Sequence, residues 1–395
     1  MVYTASCRTM NFEGLVLAGI FLATQHGAAF GQHRYSEAAQ PSHNTPFSPD
    51  ASLVRLKDLA RKFDVFIGTA SNAQYIRRDK EYVRILNEQF SLVTPENACK
   101  WTAIRPNEET FDFTDCDFVL AMAEANQQTV RGHNLCWGIH NPDWLAKYDK
   151  NSSALRSLLV DHITRVGKRY AGRVYSWDVV NEAVLKPTEN GTYLKTNVWY
   201  PAIPDIIDLA FKTIHSIDRS AKLFYNDYGY EVINSKSDAI HRMVKTMLLN
   251  NVPVHGIGME AHFFIHNDDG SHTEERLIDG DHKLGSPVPE DWSSVEDNFR
   301  RFIDLGLEIH ITEMDVSIPS TTKYFLEKQA DVYRNLLKIC LKFAPMCKSF
   351  ETWEFVDKYS WRTGEPDYFD ANYKPKPCFF AVADTLNTTV PVTNG

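Results

Sequence analysis

Eight short apolar runs recur along this chain, and the segments between them are helical in pattern or polar. The runs are Val65–Ala70, Ser91–Thr94, Thr129–Leu135, Val174–Val180, Leu223–Asn226, Gly256–Ala261, Glu308–Thr312 and Ser349–Phe355. They are rich in β-branched and aromatic residues and mostly continuous rather than alternating. That is the pattern of strands buried on both faces of a parallel sheet. Between them, Ser152–Ala171 repeats Leu155, Leu158, Leu159, Ile163 and Val166 at helical spacing. Asp205–Ile217, Ser235–Asn250, Ser294–Leu305 and Tyr324–Phe343 behave likewise. Eight strand–helix repeats predict an α/β fold, a single (β/α)8 TIM barrel. The alternative is a doubly wound open sheet. No G-x-G-x-x-G or P-loop pattern follows the first run, which counts against it. No break in composition divides residues 51–389, so one domain is expected there, with a polar tail at 390–395.

The segment before residue 51 reads differently. Leu15–Thr24 (LVLAGIFLAT) is an apolar core of about ten residues, preceded by Arg8 and followed by small residues Ala29 and Gly31. It is too short to span a bilayer. Residues 1–31 therefore read as a signal peptide cleaved before Gln32, and residues 32–50 as a disordered polar linker. Secretion permits disulfides. Cys340 and Cys347 flank CLKFAPMC at the end of a helical pattern and are the best candidate pair. Cys99 and Cys136 are a second candidate pair, and Cys116 and Cys378 are left unassigned. Asn151, Asn190 and Asn387 begin N-x-S/T sequons in polar contexts, so glycosylation is expected there. The net charge is −9 and no basic stripe appears, which argues against nucleic acid or an anionic membrane as partner. A neutral polymer or small neutral ligand fits better, and 8 Trp and 17 Tyr supply flat faces on which sugar rings stack. A monomer is expected.

In a barrel of this kind the chemistry sits at the C-terminal ends of the strands. Those ends are polar or aromatic from the second run onward. The second gives Glu96, Asn97, Lys100 and Trp101; the third His133 and Trp137; the fourth Asn181 and Glu182. The fifth gives Asn226, Asp227 and Tyr228; the sixth Glu260 and His262; the seventh Glu313; the eighth Trp353, with Trp361 beyond it. One polar ending is only a strand stopping. Seven in succession need a use, because buried charge is costly unless paired or employed. Glu182 and Glu313 face each other across the expected barrel mouth. Two opposed carboxyls are what glycoside hydrolysis requires: one protonates the leaving oxygen and the other attacks the anomeric carbon. His133, His262 and His310 lack H-E-x-x-H or short His-x-His spacing, so no metal site is expected. No G-x-S-x-G elbow marks a serine hydrolase.

WDVVNEA (Trp177–Ala183), ITEMD (Ile311–Asp315), RGHNLCW (Arg131–Trp137), ENACKW (Glu96–Trp101) and DKYSW with NYKPKP (Asp357–Trp361, Asn372–Pro377) resemble glycoside hydrolase family 10, the retaining endo-β-1,4-xylanases. The resemblance covers the chain after the linker. It implies Glu182 as acid/base and Glu313 as nucleophile, with no cofactor. It further implies that Asn181 binds the sugar 2-hydroxyl and that His262 holds the nucleophile. Glu96, Asn97, Lys100 and His133 would form the glycone side, Trp353 and Trp361 would roof it, Tyr228 would stack on the leaving-group side, and Trp137 would also bind substrate. The Cys340–Cys347 bridge also resembles one in fungal members. Four positions depart from the family pattern: Glu260 replaces a usual Gln, Gly138 a His, His140 a Gln, and Glu354 a Gly. Glu260 adds a carboxyl beside Glu313, and a proton held there would replace the amide as donor. A partly rewritten sugar shell leaves two substrates open. Plant xylan is the first expectation. A saponin, deglycosylated as some family members do with tomatine, is the second, and an inactive carbohydrate-binding protein the third.

Overall fold

The computed structural model describes residues 53–185, 193–267 and 285–391. The signal segment, the linker, the Asn190 sequon and residues 392–395 lie outside them. The strands are β1 (Phe66–Ser71), β2 (Leu92–Pro95), β3 (Thr129–His133), β4 (Ser176–Asn181), β5 (Lys222–Asp227) and β6 (Gly256–Met259). They continue as β7 (His262–Phe264), β8 (Ser286–Pro287), β9 (Glu308–Ser317) and β10 (Cys347–Thr352). Parallel pairing runs β1–β2–β3–β4–β5–β6–β9–β10, and β10 pairs back onto β1. The chain therefore closes into the expected eight-stranded barrel. β7 and β8 were not anticipated. β9 is ten residues long and rises past the rim, where β7 pairs with it and sets His262 opposite Asp315.

The five helical segments read from spacing form within one or two residues of their expected ends, as Ser152–Tyr170, Ile206–Ile217, Ser235–Leu249, Trp292–Ile303 and Lys323–Lys342. Side chains fix several starts. Asn151 accepts from the Ala154 amide, and Asn234 and Ser237 form a reciprocal capping box. Buried leucine, isoleucine and valine of these helices join the strand residues in one continuous hydrophobic core. The barrel interior is not apolar throughout. Arg131 on β3 is wholly buried, pairs with Asp178 on β4 and bonds His310 Nδ1 at 2.7 Å. Glu351 on β10 lies 4.0 Å from the same guanidinium and accepts from Thr94 and Ser349. Charges this deep persist only because each is paired and hydrogen-bonded.

The Cys340–Cys347 bridge forms and ties the helix Lys323–Lys342 to β10. The expected Cys99–Cys136 pairing does not. Cys99 joins Cys116 in the helix Thr114–Ala125, with Cα atoms 5.1 Å apart, while Cys136 and Cys378 are buried free thiols. Cys136 belongs to the chain leaving β3, whose carbonyl receives the Asn181 amide, and burial pushes its thiol up to about 12. Asn151 and Asn387 are exposed.

Candidate active site

One amide organises the barrel mouth. Asn226 Nδ2, at the end of β5, lies 2.8 Å from Asn181 Oδ1, 2.8 Å from Glu313 Oε1 and 3.1 Å from Glu260 Oε1. Its oxygen accepts from Thr312 Oγ1 at 2.8 Å, which fixes the amide's orientation. Gly258 makes room for it: a Cβ there would meet Asn226 Oδ1 at 2.1 Å. An amide nitrogen carries two hydrogens and here faces three oxygens, so the carboxyls of Glu260 and Glu313 compete for it.

The second oxygen of Glu313 lies 3.3 Å from His262 Nε2. His262 Nδ1 is 2.8 Å from Asp315 Oδ2, and Asp315 also takes the indole N–H of Trp361 at 2.9 Å and the Arg362 guanidinium. Burial alone would make His262 less basic; Asp315 and then Glu313 outweigh it and push it up to about 9. His262 is therefore an imidazolium at neutral pH, donating from both nitrogens. On the other side His133 Nδ1 stands 4.0 Å from Glu313 Oε1 and 3.0 Å from Asp178 Oδ2. The chain of contacts from Arg131 through Asp178 to His133 thus links the barrel's interior pair to its mouth. Asp178 interrupts the apolar run of β4, and that interruption was the only sign in the sequence of such a role.

Glu182 follows β4 at φ +51°, in the left-handed region that favours glycine. Its carboxyl meets the Asn181 amide at 3.4 Å and Lys195 Nζ at 3.5 Å. Burial raises its proton affinity, Lys195 lowers it, and the charges of Asp227 and Glu313 raise it again. The balance is upward, as a proton donor needs near neutral pH. Sequence reasoning missed Lys195, which comes thirteen residues after Glu182 and is brought back beside it.

All thirteen residues singled out as catalytic or substrate-binding line one cleft of about 280 Å³. Lys100 Nζ bonds Asn97 Oδ1 at 2.8 Å and lies 5.0 Å above the Trp137 ring and 5.6 Å from Trp353. Glu96 accepts from Asn72 at 2.8 Å. Trp353 meets His133 edge-on at 5.0 Å, and Trp361 meets His262 at 4.9 Å with 38% of its surface exposed. Tyr228 presents its hydroxyl 3.3 Å from Lys195 and its ring 3.7 Å from Lys236 Nζ. Of the departing positions, His140 stacks on Trp137 at 4.9 Å inside the cleft. Gly138 and Glu354 lie outside it. A Cβ on Gly138 would meet Asn197, and Glu354 turns inward at φ +79° to accept from Tyr82. Glu260, His262 and Glu313 are the one group among the described residues that brings three ligand-type atoms together. His262 Nδ1 faces Asp315 and Nε2 faces Glu313.

The glycosyl hydrolase family 10 model matches residues 55–385. The chain belongs to glycosyl hydrolase family 10. It is a glycoside hydrolase. Endo-1,4-beta-xylanase B of Thermotoga neapolitana is 35% identical over 344 residues, covering 84% of this chain and 92% of that protein. Xylanase 10B from Thermotoga petrophila, solved in complex with xylobiose, is 36% identical, covers 85% of this chain and 97% of its own, and superposes with a TM-score of 0.74. Penicillium canescens endo-1,4-beta-xylanase XylE is 28% identical, with 86% and 99% covered and a TM-score of 0.76.

Within this member of family 10, Glu260 adds a further carboxyl to the cleft beside Glu313 and Glu182. Burial pushes its carboxyl well above the ordinary range, and Glu313, Glu182 and Asp227 add to the effect against Lys236. Folded Glu260 therefore keeps a proton that the unfolded chain releases above about pH 4.5. By linkage, stability falls as pH rises from there toward the raised folded value. Glu260→Gln removes this loss, so it is expected to melt higher than the wild type at pH 7 and level with it at pH 4. Calorimetry at the two pH values checks this, and an equal difference at both would refute it.

Proposed function

We propose that this glycoside hydrolase is an endo-β-1,4-xylanase that cleaves plant xylan with retention, through a covalent glycosyl-enzyme. The observation that carries the reading is the unequal setting of the two carboxyls. Burial raises the proton affinity of Glu182, whereas Glu313 lies 2.8 Å from the Asn226 amide and 3.3 Å from His262 Nε2. The likeness to proteins named endo-xylanases, one solved with xylobiose, supports the substrate.

In this mechanism Glu313 attacks the anomeric carbon while Glu182 gives its proton to the departing glycosidic oxygen. Asn181, oriented by Asn226, bonds the 2-hydroxyl as charge develops on the ring. Once the leaving sugar has gone, Glu182 is a carboxylate and takes a proton from the water that breaks the ester. Trp353 and Trp361 roof the glycone, and Tyr228 stacks on the leaving sugar. Incubation with xylan, followed by chromatography of the oligomers and proton NMR of the first-formed anomer, tests the reading. Mixed xylo-oligomers released as β-anomers support it; α-anomers would overturn retention, and no release from xylan would overturn the substrate.

A second reading has an observation of its own. Beyond Tyr228, on the leaving-group side, opens a groove of about 950 Å³ walled in part by Val184, Leu185, Val232, Ile233 and Val288. Such a wall suits an apolar aglycone, so a saponin such as tomatine belongs in the same assay; release of its sugar chain without xylan hydrolysis would select this reading. Binding to either substrate without turnover would select a carbohydrate-binding protein. We also propose that the protein is secreted, supported by the apolar Leu15–Thr24 segment. A mature N-terminus at Gln32 would support this and an intact intracellular chain would refute it.

A further inference from the structure

We propose that Lys195 is a positioning residue for this reaction, its ammonium serving as the counter-ion of Glu182 whenever that carboxyl acts as a base. The inference rests on the double-displacement reading above. Lys195 Nζ lies 3.5 Å from Glu182 Oε2 and 3.3 Å from the Tyr228 hydroxyl, and its side chain is 13% exposed. It is the only cation within ion-pair distance of Glu182 among the described residues.

The other charges around Glu182 come from every side of the mouth. Glu313 on β9 and Asp227 on β5 oppose its ionisation, and Lys236 on the helix Ser235–Leu249 favours it. Glu260 after β6 and Lys100 after β2 also feel its charge. Of these, only Glu313 changes during the cycle. In the free enzyme its anion and Lys195 pull on Glu182 in opposite senses, and burial favours the protonated form. When Glu313 becomes an ester its charge is gone, while Lys195 is unchanged. The balance then tips toward the carboxylate at the step where Glu182 must accept a proton from water. Proton and charge are conserved: Glu182 gives its proton to the leaving oxygen, recovers one from water, and the resulting hydroxide displaces Glu313. Lys195 neither gains nor loses a proton.

The test is the pH dependence of Lys195→Met against wild type. On a xylo-oligosaccharide, the basic limb of kcat/KM reports Glu182 of the free enzyme and is expected to move up by about one pH unit, the lower end for removal of a neighbouring opposite charge. On a dinitrophenyl β-xylobioside, whose leaving group needs no proton, breakdown of the ester limits kcat. Its acidic limb is expected to move upward as well. Lys195→Arg should return both limbs toward wild type. A uniform loss with both limbs fixed would overturn the proposal and leave Lys195 a structural residue. If Lys195→Met does not fold, Lys195→Gln gives the same readout. A failure of the double-displacement reading is separate, since it appears as α-anomer from the wild type.

Discussion

Glu313→Ala is expected to lose on the order of 10⁵-fold or more in kcat/KM on every β-glycoside the wild type cleaves, activated aryl glycosides included. The size follows from what is removed. A nucleophile held beside the anomeric carbon is worth an effective concentration of roughly 10⁵ M or greater, and water entering the vacated space is neither as concentrated nor as well aligned. Good leaving groups give no relief, because they substitute for the acid and not for the attacking group. The variant should remain folded. Alanine leaves Asn226 its bonds to Asn181 and Glu260, and His262 its pair with Asp315. Steady-state rates on a dinitrophenyl xylobioside and on xylan, with a melting curve beside them, check the outcome. Retained activity on either substrate with a wild-type melt would remove Glu313 from the mechanism.

Glu182→Ala divides the substrates instead. With a natural leaving sugar, loss of a positioned acid should lower the rate by about 10²–10⁴-fold. With dinitrophenolate, which departs without a proton, ester formation should be nearly unaffected. Its breakdown, which needs a base and already limits turnover of this substrate, should slow much further. The expected signature is a burst of phenolate followed by a slow steady state, and added azide, which needs no base, should raise the steady rate. Equal losses on both substrates with no burst would contradict the assignment.

The sequence made the barrel legible because its strands are continuous apolar runs of the length that a parallel sheet buries, and because the helices between them keep a 3.6-residue stripe. The cleft was legible for a related reason. A strand that ends in charge at a barrel rim has nowhere to put that charge but the mouth, so reading the ends in order gave every lining residue that had been proposed. What escaped reading was set by three-dimensional return. Lys195 reaches Glu182 from a connection with no regular pattern. Cys99 found Cys116 rather than Cys136, because the docked helix Thr114–Ala125 brings the Cα of Cys116 to 5.1 Å from that of Cys99. Asp315 lies two residues after Glu313, yet its partners arrive from β7 and from the loop carrying Trp361 and Arg362. The charged pairs inside the barrel were hidden for the opposite reason: one Asp within an apolar run is a small mark in sequence, although its cost when buried is large.

The left-handed backbone at Glu182 bears on how this lineage could drift. A residue with a Cβ pays about 1 kcal/mol to sit at φ +51°, a cost glycine does not bear. Catalysis therefore occupies a position that the fold alone would give to another residue, and a chain released from selection for turnover would gain stability by surrendering its acid. The backbone cost separates cleanly from the carboxyl's own effects, because alanine and glycine both lack it. Glu182→Gly is expected to melt about one to two degrees above Glu182→Ala, and identical melting temperatures would show that the backbone there is under no tension. Among descendants that have kept the barrel as a mere binder of sugars, glycine is the substitution to look for at this site.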